Sequence, residues 1–261
     1  MNNAKKPAKK IPGTKELEKM KFTPVAQQQE FILNKNTSFS IKESYNILRT
    51  NITFSLPLEG CKIIGVTSAV SSDGKSINCL NLAISFAQTE SRVLLIDCDL
   101  RRPNTARLLG LDASPGVSNV IVGLNSLDES VRKTEYENLD VLLSGDIPPN
   151  PSELLGSEVM GDILKELSSM YDYIFIDTPP VNVVADPCIL SEYMSGIVLV
   201  VRQGLSDRNA VSAAIDQLLF SKAKMLGFLL NEVTRHKGSK RYKKYSYYRY
   251  YSYDSQTSDS K

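Results

Sequence analysis

Short apolar runs alternate with helical stretches along most of this chain, and this alternation limits the folds that the chain can adopt. Six nearly continuous apolar runs predict β-strands, at 62–68, 92–99, 139–145, 171–178, 196–202 and 225–231. Helical patterns occupy 38–56, 75–89, 152–169, 185–194 and 207–221. An apolar run without polar alternation is typical of a strand that is covered on both faces. The sequence therefore predicts an α/β fold with a mostly parallel, twisted sheet flanked by helices.

The two ends of the chain depart from this pattern. Residues 1–35 are rich in Lys, Pro and Gln and predict a flexible basic arm, which leaves 36–234 as the folded domain. Residues 235–261 lack aliphatic side chains and predict a disordered tail. This tail holds seven of the 12 tyrosines: Tyr242, Tyr245, Tyr247, Tyr248, Tyr250, Tyr251 and Tyr253. At the start of the first helix, Ser40 and Glu43 have the spacing of a capping box.

Composition excludes several classes of protein. The formal net charge is only +2, so the body of the chain is not a nucleic-acid polycation. The single histidine, His236, lies beside the tail, which argues against catalysis by a Ser-His-Asp triad. The four cysteines show no C-x-x-C spacing, as expected in a reducing compartment. No run approaches the ~18 apolar residues that span a membrane. We therefore expect a cytoplasmic protein that reaches a membrane only through a partner.

A phosphate-binding loop is predicted between the first strand and the helix that follows it. Residues 69–76 read AVSSDGKS, which matches the P-loop pattern except that Ala69 stands where glycine is usual. Gly74 permits the tight turn, Lys75 supplies charge to the phosphates, and the Ser76 hydroxyl is suited to Mg²⁺. The alternative is an ordinary polar turn. The predicted nucleotide-binding residues are Ser71, Ser72, Asp73, Gly74, Lys75, Ser76 and Ile77.

Carboxylates follow two of the predicted strands. Asp97 and Asp99 end the second strand, and Asp177 ends the fourth. Because the carboxyl ends of parallel strands meet at one edge of the sheet, these acids are expected near Lys75 and a magnesium ion. An aspartate at a strand end also serves as an ordinary turn former, and that reading applies to each acid taken alone.

Five segments together resemble the bacterial tyrosine kinases (BY-kinases) of capsule and exopolysaccharide synthesis. They are AVSSDGKS, VLLIDCDLRRP, GDIPPNPSELLGS, YIFIDTPP and the tyrosine cluster. The resemblance covers roughly residues 35–253 and implies a P-loop NTPase fold. It also implies a Walker A motif at 69–76, a Walker A′ motif at 93–99 and a Walker B motif near 173–177.

The resemblance implies roles for individual residues. The catalytic residues would be Lys75, Asp97, Asp99 and Asp177, with Asp97 helping to deprotonate the acceptor tyrosine. ATP is the implied phosphoryl donor, with Mg²⁺ held by Ser76, Asp97 and Asp177. Asn231, after the last strand, would contact adenine. The tail tyrosines would be the phosphate acceptors.

The resemblance also implies partners and location. A ring-shaped homo-oligomer would phosphorylate tails between its subunits. A separate transmembrane activator of the polysaccharide co-polymerase type would recruit the chain to the inner face of the cell membrane, and a cognate tyrosine phosphatase would reverse the modification. No nucleic-acid partner is expected, since the tail lacks a folded platform on which bases stack.

Two departures from the family pattern concern the loop and the first helix. The family reads P-G-E-G-K-S where this chain has Ser71 and Ser72 in place of Pro and Gly. The E-x-x-R-x-x-R motif of subunit contacts becomes Glu43, Asn46 and Arg49. We therefore expect weaker nucleotide binding or turnover, and ring assembly is left open.

A non-kinase ATPase switch of the MinD type, acting in membrane assembly, is the main alternative. Those relatives carry a second lysine early in the loop, where this chain has Val70. Arg101 and Arg102 follow the second strand and remain open to two readings, either contact with phosphate or acceptor, or a solvated turn.

Overall fold

Seven strands form one mixed sheet in the computed structural model, which describes residues 28–233. Residues 1–27 and 234–261 lie outside the described part, and with them the tail tyrosines and most of the predicted arm. The strands are β1 (Lys62–Ser68), β2 (Val93–Asp97), β3 (Val131–Lys133), β4 (Leu139–Leu142), β5 (Tyr173–Asp177), β6 (Gly196–Arg202) and β7 (Met225–Asn231). Their order across the sheet is β3-β4-β2-β5-β1-β6-β7.

All pairings are parallel except the one between β3 and β4. The predicted α/β class and the six predicted strands are confirmed, although β2, β4 and β5 are shorter than their apolar runs. The runs extend beyond these three strands because the residues after them turn into buried loops at the sheet edge. Strand β3 was not predicted, because a run of three partly exposed residues carries no periodicity.

Helices cover both faces of the sheet. They are α1 (Phe39–Ser55), α2 (Lys75–Ala87), α3 (Thr105–Leu109), α4 (Val117–Ile121), α5 (Leu127–Ser130), α6 (Pro151–Leu155), α7 (Glu158–Met170), α8 (Asp186–Leu190) and α9 (Arg208–Phe220). The single helix predicted over 152–169 is wrong, because Gly156 and the capping Ser157 divide it into α6 and α7. A 3₁₀ turn at Ser191–Tyr193 replaces the end of the helix predicted over 185–194.

The predicted capping box is also wrong. Helix α1 begins at Phe39, so its N-cap is Ser38 rather than Ser40, and the Ser38 side chain makes no capping bond. The Glu43 carboxylate instead accepts a hydrogen bond from the Asn46 side chain at 2.9 Å. Arg49 donates to the carbonyl and hydroxyl oxygens of Ser85. Two members of the altered family motif therefore bond to each other, and the third bonds to α2.

Side chains alternate between two apolar layers along the central strands. Val93 and Leu95 of β2 join the layer beneath α1 and α2, whereas Leu94 and Ile96 join the layer beneath α7. In the first layer, Phe86 packs edge to face on Phe175, with ring centroids 5.1 Å apart. Burial on both faces explains why these strands read as continuous apolar runs.

Residues 28–35 pack on the domain, which corrects the predicted end of the arm at residue 35. Ile32 and Leu33 are buried in the first layer. The Leu33 amide donates to Asn81 Oδ1 at 2.8 Å, and Asn81 Nδ2 donates to the carbonyl of Phe31 at 2.9 Å. The short apolar segment was missed because residues 1–35 are polar on average. Hydrogen bonds to Asn81 of α2 hold this segment on the domain.

Within residues 28–233, no helix is both long enough and apolar enough to cross a membrane.

Candidate active site

The strand register brings the predicted acids to one edge of the sheet. Asp97 at the end of β2 lies directly opposite Asp177 at the end of β5. Asp177 in turn lies opposite Val66 of β1, two residues before the strand ends at Ser68. The loop 69–74 leaves β1 at this same edge and leads into α2. The predicted convergence of the acids and the P-loop is therefore a direct consequence of parallel pairing.

The loop turns through two residues with left-handed backbone. Gly74 has φ 89°, and a Cβ atom there would lie 2.3 Å from Asn231 Nδ2, so this position requires glycine. Ser72 has φ 71°, a conformation that serine adopts at a cost. Ser72 stands where the BY-kinases have glycine, so the substitution leaves the left-handed backbone in place and strains it.

The amino end of α2 offers unpaired amides. The first helical hydrogen bond runs from Asn78 N–H to the Gly74 carbonyl at 3.1 Å. The N–H groups of Gly74, Lys75, Ser76 and Ile77 donate no hydrogen bond to any residue in the described range. Free amides at the start of a 13-residue helix form a site for an anion such as phosphate.

Lys75 lies among the acids. Its Nζ is 2.8 Å from Asp99 Oδ2 and 3.4 Å from Asp177 Oδ1. Burial alone would lower the pKa of Lys75, but the negative charges of the surrounding aspartates, that of Asp177 first, outweigh this and raise it. The lysine therefore carries a positive charge at neutral pH.

Asp177 is fully buried and incompletely satisfied. Its Oδ2 atom has no hydrogen-bond partner among the described residues. Burial raises the pKa of Asp177 to about 7, although the charge of Lys75 and a hydrogen bond from Ser76 lower it. An unpaired carboxylate oxygen beside a serine hydroxyl is a suitable ligand pair for a divalent cation.

Asp97 is held by backbone amides. Oδ1 accepts from Asp99 N–H at 3.1 Å, and Oδ2 accepts from the N–H groups of Asn104 and Thr105 at 3.2 and 3.0 Å. Burial raises the pKa of Asp97, while the charge of Lys75 and the bond from Thr105 oppose the rise. Asp97 therefore shapes the turn that carries Asp99. Its neighbour Cys98 points into the core, as the alternation predicts.

The residues present fit a magnesium ion. They provide the orphaned Asp177 oxygen, the Ser76 hydroxyl and the Asp97 carboxylate on adjoining chain segments. Within residues 28–233, no three His, Cys, Asp or Glu side chains form a ready-made metal cluster. The fit therefore rests on Ser76 and the unsatisfied oxygen rather than on a cage of carboxylates.

Three residues at or just after the ends of β6 and β7 hold the loop in place by hydrogen bonds, and we call this set, Arg202, Ser206 and Asn231, the brace. The sequence did not reveal it. Arg202 donates to the Ser72 carbonyl at 3.1 Å, and Ser206 Oγ donates to Asp73 Oδ1 at 2.8 Å. Asn231 Nδ2 donates to the Asp73 carbonyl at 2.9 Å. Asn231 therefore lies against the P-loop, where it supports the turn. Asp73 is buried, and its Oδ2 has no hydrogen-bond partner among residues 28–233. Burial raises the pKa of Asp73. The other oxygen of Asp73 accepts from Ser206, in the loop that follows β6.

The two arginines after β2 differ in their surroundings. Arg101 Nε lies 3.1 Å from Asp186 Oδ2, and Arg101 Nη2 donates to Ser152 Oγ at 2.8 Å. Arg102 is exposed, and its backbone N–H donates to Asp99 Oδ1 at 3.0 Å. Arg101 is therefore engaged with protein groups. The solvated-turn reading suits Arg102.

Comparison with known proteins agrees with this geometry. A family model described as an AAA domain matches residues 61–207. Tyrosine-protein kinase YwqD of Bacillus subtilis (strain 168) is 39% identical over 189 residues, covering 72% of this chain and 80% of that protein. Putative tyrosine-protein kinase CapB of Staphylococcus aureus is 37% identical over 203 residues, covering 78% of this chain and 89% of that protein.

A solved structure extends the agreement to three dimensions. The crystal structure of the chimerical protein CapA2B2 matches with a TM-score of 0.74 and 34% sequence identity. The match covers 77% of this chain and 88% of that chain. The family model spans more than half of the sequence, and both relatives bear names of tyrosine-protein kinases. This chain therefore belongs to the bacterial tyrosine kinase (BY-kinase) family, the P-loop enzymes that phosphorylate protein tyrosines.

Proposed function

We propose that this kinase transfers the γ-phosphoryl group of ATP to tyrosines in its own C-terminal tail. The acceptors would be Tyr242, Tyr245, Tyr247, Tyr248, Tyr250, Tyr251 and Tyr253. The observation that carries the proposal is the position of Lys75, whose ammonium group lies between Asp99 and Asp177 at the start of α2. Modification of the tail would regulate the synthesis and export of capsular polysaccharide or exopolysaccharide.

The loop is suited to bind the triphosphate. Residues 71–77 provide the free amides of α2 and the hydroxyl of Ser76, and Lys75 adds a positive charge. On phosphate binding, Lys75 would exchange part of its pairing with the acids for the β- and γ-phosphates. The negative charge of the acids would then be less well balanced, at the place where a cation is needed. Asn231 would support the loop and contact adenine.

Mg²⁺ would be held by Ser76, Asp97 and Asp177, and when bound it neutralises negative charge on the phosphates. The unpaired Oδ2 of Asp177 supports this assignment. Asp99 differs from the other two acids in its short contact with Lys75, which orients the ammonium group.

Asp97 is the proposed base. A tyrosine hydroxyl has a pKa near 10 and is a poor nucleophile at neutral pH. Burial raises the pKa of Asp97, which makes its carboxylate a better proton acceptor than a solvated aspartate. Its amide hydrogen bonds fix the carboxylate in place, so that it can receive the tyrosine proton as transfer proceeds.

The tail is suited to be a substrate by its length and charge. Tyr242 follows Asn231 by 11 residues and Tyr253 by 22. The extended reach is therefore at most roughly 36–80 Å, which allows transfer within one chain or between chains.

Each phosphotyrosine adds about −1.5 to −2 charges, so four or five would reverse the sign of this basic segment. We propose that the reversal loosens a ring-shaped oligomer. A phosphomimetic tail that left assembly unchanged would contradict this.

The partners follow from the same proposal. A transmembrane activator of the polysaccharide co-polymerase type would hold the cytoplasmic kinase at the inner face of the membrane, and a cognate phosphatase would reset the tail. The activator's cytoplasmic peptide should stimulate autophosphorylation in a purified mixture.

The experiment is incubation of the purified chain with Mg²⁺ and labelled ATP, followed by phosphotyrosine detection. We expect label on the full chain, none on Lys75→Met, and none on a chain that ends at residue 234. ATP hydrolysis without any phosphotyrosine would instead support the MinD-like ATPase switch and overturn the kinase proposal.

A further inference from the structure

Another buried acid, Asp186, lies beside the site and belongs neither to the nucleotide loop nor to the predicted acids. Asp186 begins α8, and its side chain is fully buried. Oδ2 accepts from Arg101 Nε at 3.1 Å, and Oδ1 accepts from Ser152 Oγ at 2.5 Å. Arg101 Nη2 also donates to Ser152 Oγ at 2.8 Å, which closes a triangle. A buried carboxylate requires such compensation.

The triangle joins three loops at the carboxyl edge of the sheet. Arg101 follows β2, Ser152 lies in α6 after β4, and Asp186 follows β5. Apolar side chains of α6, α8 and the segment after β2 also share one core layer, so the triangle adds polar bonds to an existing apolar contact. The PSELL segment, which carries part of the family resemblance, is therefore bonded through Ser152 to the same acid that holds Arg101.

The turn between Asp97 and Arg101 carries Asp99, the closest partner of Lys75. On one side, the Asp97 carboxylate holds the backbone of this turn through the Asp99 amide. On the other side, Asp97 also accepts from the amides that follow the turn, and the Arg101 side chain bonds to Asp186. The Asp99 carboxylate itself accepts from the N–H of the residue after Arg101 at 3.0 Å, so its direction toward Lys75 is coupled to the Arg101–Asp186 pair through one step of backbone.

We propose that Asp186 is a positioning residue of the kinase site. It fixes Arg101, and through Arg101 it holds the Asp99 turn in the geometry needed for phosphoryl transfer. Asp186 itself touches neither nucleotide nor acceptor. The inference rests on the proposed function, which it deepens by adding a support for Asp99.

The test compares Asp186→Asn with Asp172→Asn in the full chain. Asp172 also pairs with an arginine, Arg92 at 3.1 Å, but on the exposed surface, so it is a matched control. We expect Asp186→Asn to lower kcat for autophosphorylation by about 10- to 100-fold, because a small misplacement of a reacting group has that effect. The Kd for MgADP should stay within about 3-fold, since the loop amides are unchanged. Asp172→Asn should alter neither quantity.

Hydrogen exchange provides a readout that does not depend on kinase activity. In Asp186→Asn, amides of residues 98–105 should exchange faster, whereas those of α2 should not. If the wild type showed no tyrosine phosphorylation, the proposed function would fail, but the exchange comparison would still decide the positioning claim.

A conservative variant covers the case in which Asp186→Asn does not fold. Arg101→Lys keeps the charge but loses the fork that reaches both Asp186 and Ser152. It should also lower kcat and speed the amide exchange of residues 98–105, but by less than Asp186→Asn does. Unchanged kcat and unchanged exchange of 98–105 in a folded variant of either kind would overturn the proposal.

Discussion

Lys75 contacts two aspartates whose surroundings give them different chemistry. Asp99 makes the short ion pair and lies on a turn, so it can move with that turn. Asp177 is fixed at the end of β5, and one of its oxygens has no partner in the part of the chain that the structure describes. Asp97 is occupied by amide donors. The positive charge of one lysine thus offsets the negative charges of several buried carboxylates. Removing one of these carboxylates should therefore raise the stability of the metal-free protein and lower its activity.

Asp177→Asn should stabilise the metal-free protein and impair catalysis. Because burial raises the pKa of this carboxyl to about 7, its ionised form lowers the stability of the folded state above that pH. In EDTA at pH 8, we expect the free energy of unfolding to rise by on the order of 1–2 kcal/mol. The gain should shrink as the pH falls from 7 toward 4, because the folded wild type is then protonated.

Urea denaturation at several pH values measures this gain. Asp172→Asn, which breaks an exposed pair, should change stability by less than about 1 kcal/mol at any of them. A loss of stability in Asp177→Asn at pH 8 would contradict this prediction. It would show that the ion pair between Lys75 and Asp177 stabilises the fold by more than burial of the Asp177 charge destabilises it.

Ser72→Gly should relieve strain in the loop. The left-handed backbone costs an L-residue roughly 1–2 kcal/mol, which glycine would not incur. Glycine also has more conformational freedom in the unfolded chain, and this offsets part of the stabilisation. We expect about 0.5–1 kcal/mol of added stability and tighter binding of MgADP. Ser71→Gly is the control, since Ser71 does not have positive φ. Equal effects of the two variants in chemical denaturation would contradict the strain argument.

At the scale of elements, the ends of β6 and β7 position the loop that follows β1. Asn231 holds the Asp73 carbonyl, and Arg202 holds the carbonyl of Ser72. These strands lie on the far side of β1 from β2 and β5, which carry Asp97 and Asp177. The P-loop is thus held between the acids on one side and a hydrogen-bonded brace on the other.

Asn231→Ala distinguishes a brace from an adenine contact. If the side chain only supports the loop, binding of ADP and of pyrophosphate should weaken equally, by about 5- to 10-fold. If it also contacts adenine, as we propose, ADP should lose more than pyrophosphate. Calorimetric titration of both ligands makes the comparison, with Asn209→Ala at an exposed position of α9 as control. Unchanged affinity for both ligands would contradict either role.

The segment before α1 should contribute measurably to stability. Leu33 is buried, and its amide is bonded to Asn81. Leu33→Ala should therefore cost about 2–4 kcal/mol in urea denaturation. Phe31 is 63% exposed, so Phe31→Ala should cost much less. Similar losses for the two variants would mean that this segment does not pack as described.

The sequence predicted the parts of the site that follow from local pattern. Continuous apolar runs fixed the strands, and Lys75, Asp97 and Asp177 followed because strand ends converge. The brace and the Asp186 triangle could not be predicted, since Ser206, Arg101 and Asp186 have ordinary residue types and meet only through long-range folding. The helix start at Phe39 was missed because Ser38 and Ser40 are both plausible caps, and only packing decides between them.

At the scale of the molecule, one sheet edge gathers the nucleotide loop, the acids and the end of β7. Asn231, the last residue of β7, contacts the P-loop, and the tyrosine-rich segment follows directly in sequence. The first of the proposed acceptors, Tyr242, therefore follows Asn231 by 11 residues. This short separation in sequence is consistent with the proposal that the kinase phosphorylates its own tail.

Mixing two complementary variants tests the central claim most directly. Lys75→Met retains the tail but lacks the lysine, whereas a chain ending at residue 234 retains the site but lacks the acceptors. With Mg²⁺ and ATP, we predict that mass spectrometry will find phosphate on tyrosines 242–253 of the Lys75→Met chain only when the truncated chain is present. The account would be contradicted if the wild type alone, and the mixture, both hydrolysed ATP yet left every tail tyrosine unmodified.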